Sequence, residues 1–512
     1  MERKINTDKW SLIRFIIPAF PEVNIFSRQA KKTTALGPIM VATAASKAWR
    51  WHVEVIDENN YRDGPRDSQG LPDHEMLQER SPADVVGFYC GLTSTIERVW
   101  QLAEFYHEKA QTIAGGWHAH YCPEETLRHN IDVVVHGDGE IVIQKILTAF
   151  EQEEGPGNIP GISFLDKGEV KTNPPNIFEI PDLNALPYPD FGLLKYAKVS
   201  IYPVGRTRGC RMNCEFCSIK GKPRWSTGEH LFKTVEWLVA TRSARYFFIV
   251  DDRLEEDIVG TVDFFRRVAE RYGNRLAFTV QTRLEAAKNT ELLRIMKRAG
   301  VRVVCIGYES VIEAELRAMN KGYLSIAQML EWTKIWRQLF RIHAMFIFGY
   351  PLKDRGISIS PKEMLKAFRI FLGKARPDTT QILHPIPLVG TDLRKRLEEE
   401  GRIYPQELVP WSKYDGSFVC FQPDNMTPRE FQEASMKLMG RFYSLLLSLI
   451  NIPLRTIAFP IDYLFRGWES WHRGWWRNIV RFGGHFLIRK WRKRQDVKLF
   501  IEKLEKYQSQ GK

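Results

Sequence analysis

Two stretches of this chain alternate short, nearly continuous apolar runs with amphipathic segments. The first holds "LIRFIIP" (Leu12 to Pro18), "HVEVID" (His52 to Asp57), "ADVVGFYC" (Ala83 to Cys90), "QTIAGG" (Gln111 to Gly116) and "IDVVVHGDGE" (Ile131 to Glu140). Runs this short and this apolar predict strands covered on both faces. "STIERVWQLAEFYHEKA" lies between the third run and the fourth and predicts a helix. The stretch therefore reads as β–α alternation and a doubly wound parallel sheet. Ligands of such sheets sit at the carboxyl ends of the strands, where Gly115, Gly116, Gly137 and Gly139 fall. Glycines there either make room for a ligand or only turn the chain.

The second series is "ARYFFIVDD", "LAFTVQTR", "VRVVCIGYES", "RIHAMFIFGYP" and "DTTQILHPIPLVGT", with helical stretches such as "TVDFFRRVAERYG" between them. This rhythm predicts a partial (β/α) barrel, a fold that keeps its chemistry at the carboxyl ends of its strands. The intervening chain, with "EEGPGNIPG", "NPPN" and "LPYPD", reads as a connector. The expected organisation is a doubly wound domain over 1–150, a linker over 151–200, a partial barrel over 201–400 and a helical extension over 401–512.

In the extension, Trp468, Trp471, Trp475, Ile479, Phe482 and Phe486 recur at helical spacing, and Arg466, Arg473, Arg477 and Arg481 fall on the opposite face. Gly483 and Gly484 are expected to break or bend that helix. The preceding apolar stretch, Phe442 to Phe465, is interrupted by Pro453, Arg455, Pro460 and Asp462, which argues against a spanning helix.

Composition changes this picture in one respect. The chain carries a net charge of +13, but from Arg441 onward there are 15 Lys/Arg against 5 Asp/Glu. The basic character belongs to the C-terminal arm. An aromatic face opposite a cationic one fits an interfacial membrane helix, and it equally fits a stripe packed on the barrel. Nucleic acid is disfavoured, because the cations lie outside any recognisable nucleic-acid module.

Seven cysteines are few for 512 residues, and Cys90, Cys122, Cys305 and Cys420 stand apart from one another, so a disulfide framework is not expected. "MERKINTDKW" lacks the apolar core of a signal peptide. A reducing cytoplasm is the expected compartment, with peripheral association at the inner membrane face. The other three cysteines, Cys210, Cys214 and Cys217, form a C-x-x-x-C-x-x-C array in "RTRGCRMNCEFCSIKG". A structural zinc site needs four ligands, normally two separated pairs; the chain has no second C-x-x-C or H-x-x-x-H, and the distant His230 is a weak fourth ligand. An iron–sulfur cubane matches three thiolates better and leaves one iron open.

This spacing, with aromatic Phe216 before the last cysteine, resembles the signature of the radical S-adenosylmethionine superfamily. The resemblance implies a 4Fe-4S cluster on Cys210, Cys214 and Cys217, with S-adenosylmethionine chelated at the open iron. It implies reductive cleavage of the S–C5′ bond, a deoxyadenosyl radical, and hydrogen removal from a substrate. It places Asp251 and Asp252 ("FFIVDD") beside the methionine moiety. Gln281 and Arg283 ("QTR") and Glu309 ("GYES") fall where the family contacts ribose, carboxylate or substrate, and Gly349 ("FGYP") and "PIPLVGT" near the adenine side. Helix capping by the two aspartates and a lysine partner for Glu309 are the alternatives.

"GGWHAHYCPEE" with "IDVVVHGDGE", and "GLTSTIERV" with Thr93 and Ser94, resemble the cobalamin-binding domain that precedes the barrel in one class of these enzymes. No histidine precedes His52, so a lower cobalt ligand from the loop after the first strand is excluded. Either cobalamin binds without it or the domain is a scaffold. His118, His120 and Cys122 lie near the expected site. The expectation is an oxygen-sensitive enzyme using a 4Fe-4S cluster, S-adenosylmethionine and cobalamin to methylate an unactivated carbon of a small, hydrophobic or lipid substrate, with flavodoxin or ferredoxin as electron donor. A cobalamin-free radical cyclase or C–C coupling enzyme is one alternative, and a non-catalytic, membrane-associated cluster sensor is another. Methylthiolation is disfavoured, because the front domain lacks three further cysteines.

Overall fold

The apolar runs of the first stretch become inner strands of a parallel sheet: β1 (Ser11–Ile17), β2 (Trp51–Asp57), β3 (Val85–Tyr89), β4 (Gln111–Gly115) and β5 (Val133–Val135). The computed structural model describes residues 10–21, 30–152, 154–176, 180–354, 356–457, 459–492 and 495–509. Part of the loop after β1, residues 22–29, thus lies outside the described residues. The chain divides into two compact units, 1–209 with 222–252 and 210–221 with 253–512.

In the first unit β1 pairs in parallel with β2 on one side and β3 on the other. The sheet continues from β3 through β4 to β5. Strand order 2-1-3-4-5 is the flavodoxin-like winding, whose topological switch lies between β1 and β3. Helices α1 (Leu36–Ala45), α2 (His74–Arg80), α3 (Ile96–Tyr106), α4 (Trp117–Tyr121), α5 (Pro123–Arg128) and α6 (Gly139–Glu151) connect or follow these strands. Arg14, the one charge in "LIRFIIP", is fully buried, and bonds to Glu54 at 2.6 Å, Gln78 at 2.9 Å and the Ser81 carbonyl at 2.7 Å satisfy it.

The Pro- and Gly-rich stretch also contributes to this sheet. β6 (Ile162–Asp166) and β7 (Glu169–Asn173) form an antiparallel hairpin beside β5, and β8 (Leu194–Lys195) pairs with β2. Further on, β9 (Tyr202–Val204) pairs in parallel with β12 (Tyr246–Ile249). The antiparallel hairpin of β10 (Thr207–Arg208) and β11 (Arg224–Trp225), then α7 (Gly228–Arg242), lie between them in sequence.

In the second unit β13 (Ala277–Arg283), β14 (Val301–Glu309), β15 (Arg341–Ile347) and β16 (Thr379–Leu383) pair in succession, all parallel. They alternate with α8 (Ile258–Tyr272), α9 (Thr290–Arg298), α10 (Glu313–Ala318), α11 (Ile326–Leu339) and α12 (Pro361–Ala375). Local signals agree with this pattern: Ser360 and Glu363 form a capping box around Pro361 at the start of α12.

After α13 (Asp392–Glu399) the extension is helical: α14 (Pro428–Phe442), α15 (Leu445–Ile457), α16 (Phe459–Arg492) and α17 (Gln495–Ser509). Two expectations for the tail need correction. Helix α16 runs through Gly483 and Gly484 and is interrupted instead at Gly467, whose φ is +73°. A Cβ at Gly484 would lie 2.4 Å from the Tyr443 ring, so glycine there serves close packing. The described arginines of the expected cationic face turn inward. Arg473 grips buried Asp378 at 2.9 and 2.5 Å. Arg481 donates to the Pro377 carbonyl at 3.1 Å and stacks over Phe442 at 4.1 Å. Burial lowers Arg481 to about 10. The buried Asp378 carboxylate and the Pro377 carbonyl, just before β16, hold these guanidinium groups inward. The Arg466 side chain lies outside what is described.

Candidate functional site

The three cysteines occupy a loop between β10 and β11. Gly209 begins it with φ +84°, and a Cβ there would sit 3.3 Å from both the Lys222 carbonyl oxygen and Pro223 Cα. Glycine therefore lets the two ends of the loop close. Inside the loop the Cys217 amide donates to the Cys214 carbonyl at 3.2 Å, making a tight turn. Cys214 is buried, and Cys210 and Cys217 are half-buried. Burial raises the Cys217 thiol to about 11, with Cys214 and Cys210 adding to the rise. Burial also raises Cys210, and a hydrogen bond to the Glu256 carboxylate favours its protonated form. Such thiols stay protonated until a metal centre displaces their protons, and three thiolate donors fit a cluster with one open iron.

Buried side chains hold the loop in shape. Glu215 accepts from Tyr350 Oη at 2.7 Å and from Arg396 Nε and Nη2 at 2.9 and 3.1 Å. Its backbone bonds to Met319 and Leu393. Lys220 Nζ donates to Asn213 Oδ1 at 2.6 Å and to the Cys214 carbonyl at 2.9 Å. Arg211 meets Glu256 twice, through its amide at 3.0 Å and Nε at 2.7 Å. The Phe216 ring lies 6.3 Å from Tyr350, with Lys321 Nζ 5.7 Å from its centroid.

The other expected site residues take distinct positions. Asp251 follows β12, is buried, and accepts from the Arg206 and Thr207 amides at 2.6 and 2.9 Å. Burial raises it to about 6, and its Oδ2 is buried without a protein partner among the described residues. Asp252 is raised by burial and accepts from the Gly209 amide at 2.6 Å, at the entrance to the cysteine loop. Neither contact is a helix cap.

Gln281, exposed near the end of β13, lies opposite Cys305 of β14. Arg283 pairs with Glu285 at 2.7 Å and lies 5.5 Å from the Tyr323 ring, and its Nη2 is also buried without a protein partner among the described residues. Glu309 ends β14 in a left-handed conformation, φ +61°, and pairs with Lys321 at 2.6 Å. Through Lys321 it is joined to Phe216. Gly349 has φ +74°, and a Cβ there would strike the Phe431 ring at 2.2 Å. Only glycine fits.

In the first unit the loops after β3 and β4 tie together. The Cys90 amide donates to the Gly115 carbonyl at 2.7 Å, and the His118 amide to the Cys90 carbonyl at 3.0 Å. Gly116 has φ +124° and would place a Cβ 2.6 Å from the Cys90 backbone, so any side chain is barred. Thr93, Ser94 and Thr95 form a short, buried 3-10 turn at the start of α3. Gly137 has φ +73° and faces open space, whereas a Cβ at Gly139 would press Val41 at 3.0 Å. Gly116 and Gly139 thus serve the chain's own close packing, while the open backbone at Gly137 and the short hydroxyl residues after β3, beside the switch point, leave room for a large cofactor.

The acids of "GDGE" have a further role. Asp138 accepts from Arg208 at 2.7 Å and from Arg224 at 2.5 Å, and Glu140 also binds Arg208. These two arginines are paired across β10 and β11. Sequence reasoning singled out the glycines of this motif and missed the acids. It also missed Glu215, which sits inside the cysteine motif, and Glu256, which the acidic run "DDRLEED" marks. Arg396 and Lys321 carried no local signal. His230, the conceivable fourth zinc ligand, lies in the first turn of α7 with its ring 5.4 Å from that of Tyr188.

Comparison with known proteins agrees with this domain order and fold. Residues 29–147 match the B12 binding domain, and residues 204–357 match the radical SAM superfamily. An uncharacterized methyltransferase of Pyrococcus horikoshii is 26% identical over 447 residues, covering 84% of this chain and 93% of that protein. An anaerobic magnesium-protoporphyrin IX monomethyl ester cyclase of Cereibacter sphaeroides is 24% identical over 413 residues, 76% of this chain and 64% of that protein. The solved structure of the radical S-adenosylmethionine methyltransferase TsrM from Kitasatospora setae, with tryptophan and a SAM analogue bound, superposes with a TM-score of 0.62 at 15% identity. It covers 83% of this chain and 88% of that one.

Proposed function

Because this chain belongs to the radical S-adenosylmethionine superfamily, in the class with an N-terminal cobalamin-binding domain, we propose that it methylates an unactivated carbon of a small hydrophobic substrate. When bound, the cluster, S-adenosylmethionine and cobalamin supply the electron, the hydrogen-abstracting radical and the methyl group. The chain's own part is to hold and shield them. Cys210, Cys214 and Cys217 are the thiolate donors to the cluster. The Glu215–Tyr350–Arg396 contacts keep their loop from opening. Asp251 and Asp252 fix the backbone on which the loop begins and, with Gln281, Arg283, Glu309 and Gly349, are assigned to cofactor and substrate binding. Thr93, Ser94, Gly115, Gly116, Gly137 and Gly139 are assigned to cobalamin.

The single observation that carries this reading is a three-thiol loop closed on Gly209, in a chain whose front sheet has the 2-1-3-4-5 winding. Anaerobic reconstitution tests it. With reductant, the protein should convert S-adenosylmethionine to 5′-deoxyadenosine, and Cys214→Ala should not. Material loaded with cobalamin should retain a corrinoid spectrum after desalting. Turnover without retained corrinoid would favour the cyclase chemistry of the Cereibacter relative over methylation.

A lipid-facing position is the finer part of the proposal, and the hairpin of α15 and the first part of α16 supports it. Leu446, Leu449, Leu454, Ile457, Leu464 and Phe465 are exposed there, Phe465 at 83%. An apolar patch of that extent is unusual for a surface that meets only water. Among the described residues, no helix is long and apolar enough to cross a membrane. We therefore assign the hairpin to shallow insertion in a lipid surface, beside which a hydrophobic substrate partitions.

A further inference from the structure

Helices α4 and α5 follow β4 as two successive turns, and they bring together three side chains that the proposed chemistry does not use. Cys122 is the non-helical junction between the two helices, φ −125°, and His118 of α4 and Glu125 of α5 meet it from either side. His118 Nε2 or Nδ1, Cys122 Sγ and a Glu125 carboxylate oxygen all lie within 4.8 Å of one another. His118 Nε2 is 3.4 Å from Glu125 Oε2. That exceeds the roughly 2.7–2.9 Å of a charge-assisted hydrogen bond. It is close to the separation of about 3.3 Å between two ligand atoms on a tetrahedral zinc ion with bonds near 2.0 Å.

The backbone holds these ligands in place. The His118 amide is anchored to the Cys90 carbonyl at 3.0 Å, and the Cys122 amide to the His118 carbonyl at 2.9 Å. Thr126 Oγ1 donates to the Cys122 carbonyl at 2.7 Å. The imidazole is buried, with its edge toward Trp100, while Cys122 and Glu125 are half-buried and leave a path from solvent. On its other side His118 Nδ1 lies 3.4 Å from Thr93 Oγ1. A metal-ligating histidine commonly directs its second nitrogen to such a partner.

We propose that His118 Nε2, Cys122 Sγ and the Glu125 carboxylate form a mononuclear site for a thiophilic divalent cation, zinc before others. One nitrogen, one thiolate and one carboxylate suit zinc and leave a fourth position for water. Metal on Nε2 fixes the proton on Nδ1, directed at Thr93, so the ion braces the turn at the start of α3. The inference does not depend on the radical chemistry. Cys122, which stands apart from the other cysteines and follows His118 and His120, thereby acquires a role.

The test uses the full chain with Cys210, Cys214 and Cys217 changed to alanine, so that the cluster thiols cannot compete. Calorimetric titration with zinc chloride should give one equivalent. Cobalt(II) should give tetrahedral d–d bands with a thiolate charge-transfer band of one sulfur. Cys122→Ala should abolish that band, and His118→Gln should weaken binding by about 100-fold. In cobalamin-free protein Thr93→Val, which removes the partner of the second nitrogen, should weaken it by about 10-fold. Reconstituted wild-type protein should also carry one zinc beside its iron by elemental analysis, which reads the site without any variant. If the titrated parent binds no stoichiometric metal, or Cys122→Ala binds as tightly, the trio is an ion pair beside a thiol and the proposal falls. A failure here with 5′-deoxyadenosine still formed leaves the enzymatic reading intact.

Discussion

Asp138 accepts Arg208 at 2.7 Å on one carboxylate oxygen and Arg224 at 2.5 Å on the other, so one side chain of the "GDGE" loop fastens both strands of the hairpin that carries the cysteines. Glu140, almost fully buried, binds Arg208 as well. A loop of the front sheet thus fastens the two strands that flank the cysteine segment in sequence. Arg208→Met leaves two carboxylates short of a cation and should cost about 3 kcal/mol. The expected result is a lower melting temperature and less than half the wild-type iron after reconstitution. Wild-type iron content in that variant would show that the hairpin is held by other means.

Inside the loop Glu215 is the corresponding anchor. Tyr350→Phe removes one hydrogen bond to a buried carboxylate, a loss of about 1–2 kcal/mol. Arg396→Met removes the bidentate cation and should cost about 3 kcal/mol or more. Iron release to a chelator should therefore quicken in the order wild type, Tyr350→Phe, Arg396→Met.

Glu315 gives a pH dependence of defined sign. Burial raises it from 4.5 to about 8, and Asp424 adds to the rise, against bonds from Ser310 and the Tyr350 amide. The folded state thus keeps a proton that the unfolded chain releases. The stability this provides is complete below pH 4.5 and is lost as pH rises through 8, by up to about 1.4 kcal/mol per pH unit. Glu315→Gln can still bond Ser310 and the Tyr350 amide, so its melting temperature should fall less between pH 5 and 8. Parallel profiles for the two proteins would contradict a protonated Glu315.

His384 should act in the opposite sense on the acid side. Burial lowers it from 6.5 to about 3, so the unfolded chain takes up a proton that the folded one refuses. Its contribution is complete above pH 6.5 and is lost as pH falls toward 3. His384→Gln, able to keep a bond to Ser435 Oγ, should flatten the melting profile between pH 6 and 4.

The tail prediction separates apolar from ionic attachment. With Arg473 and Arg481 occupied by protein groups, binding to vesicles should rest on Leu464 and Phe465 rather than on charge. Leu464→Ser with Phe465→Ser should abolish flotation with phosphatidylcholine vesicles. Adding 0.5 M salt, which leaves a Debye length of only about 4 Å, should change flotation little. Loss of flotation in salt alone would point to ionic attachment instead.

What residue order determined by itself is the part of this protein that depends on local pattern and spacing. Short, largely apolar runs of strand length mark β1 to β5, as strands covered on both faces require, while β–α alternation marks β12 to β16, whose burial alternates along each strand. Three thiols at fixed intervals state their chemistry before any folding. Tertiary structure decided the rest, because long-range partners have no spacing to read. The acids of "GDGE" found arginines 70 and 86 residues away, and Glu215 found Arg396 181 residues away. The tail departs most from its pattern. Helical periodicity correctly separates an aromatic face from a cationic one, but it is blind to a buried carboxylate such as Asp378, and that partner turned the arginines inward.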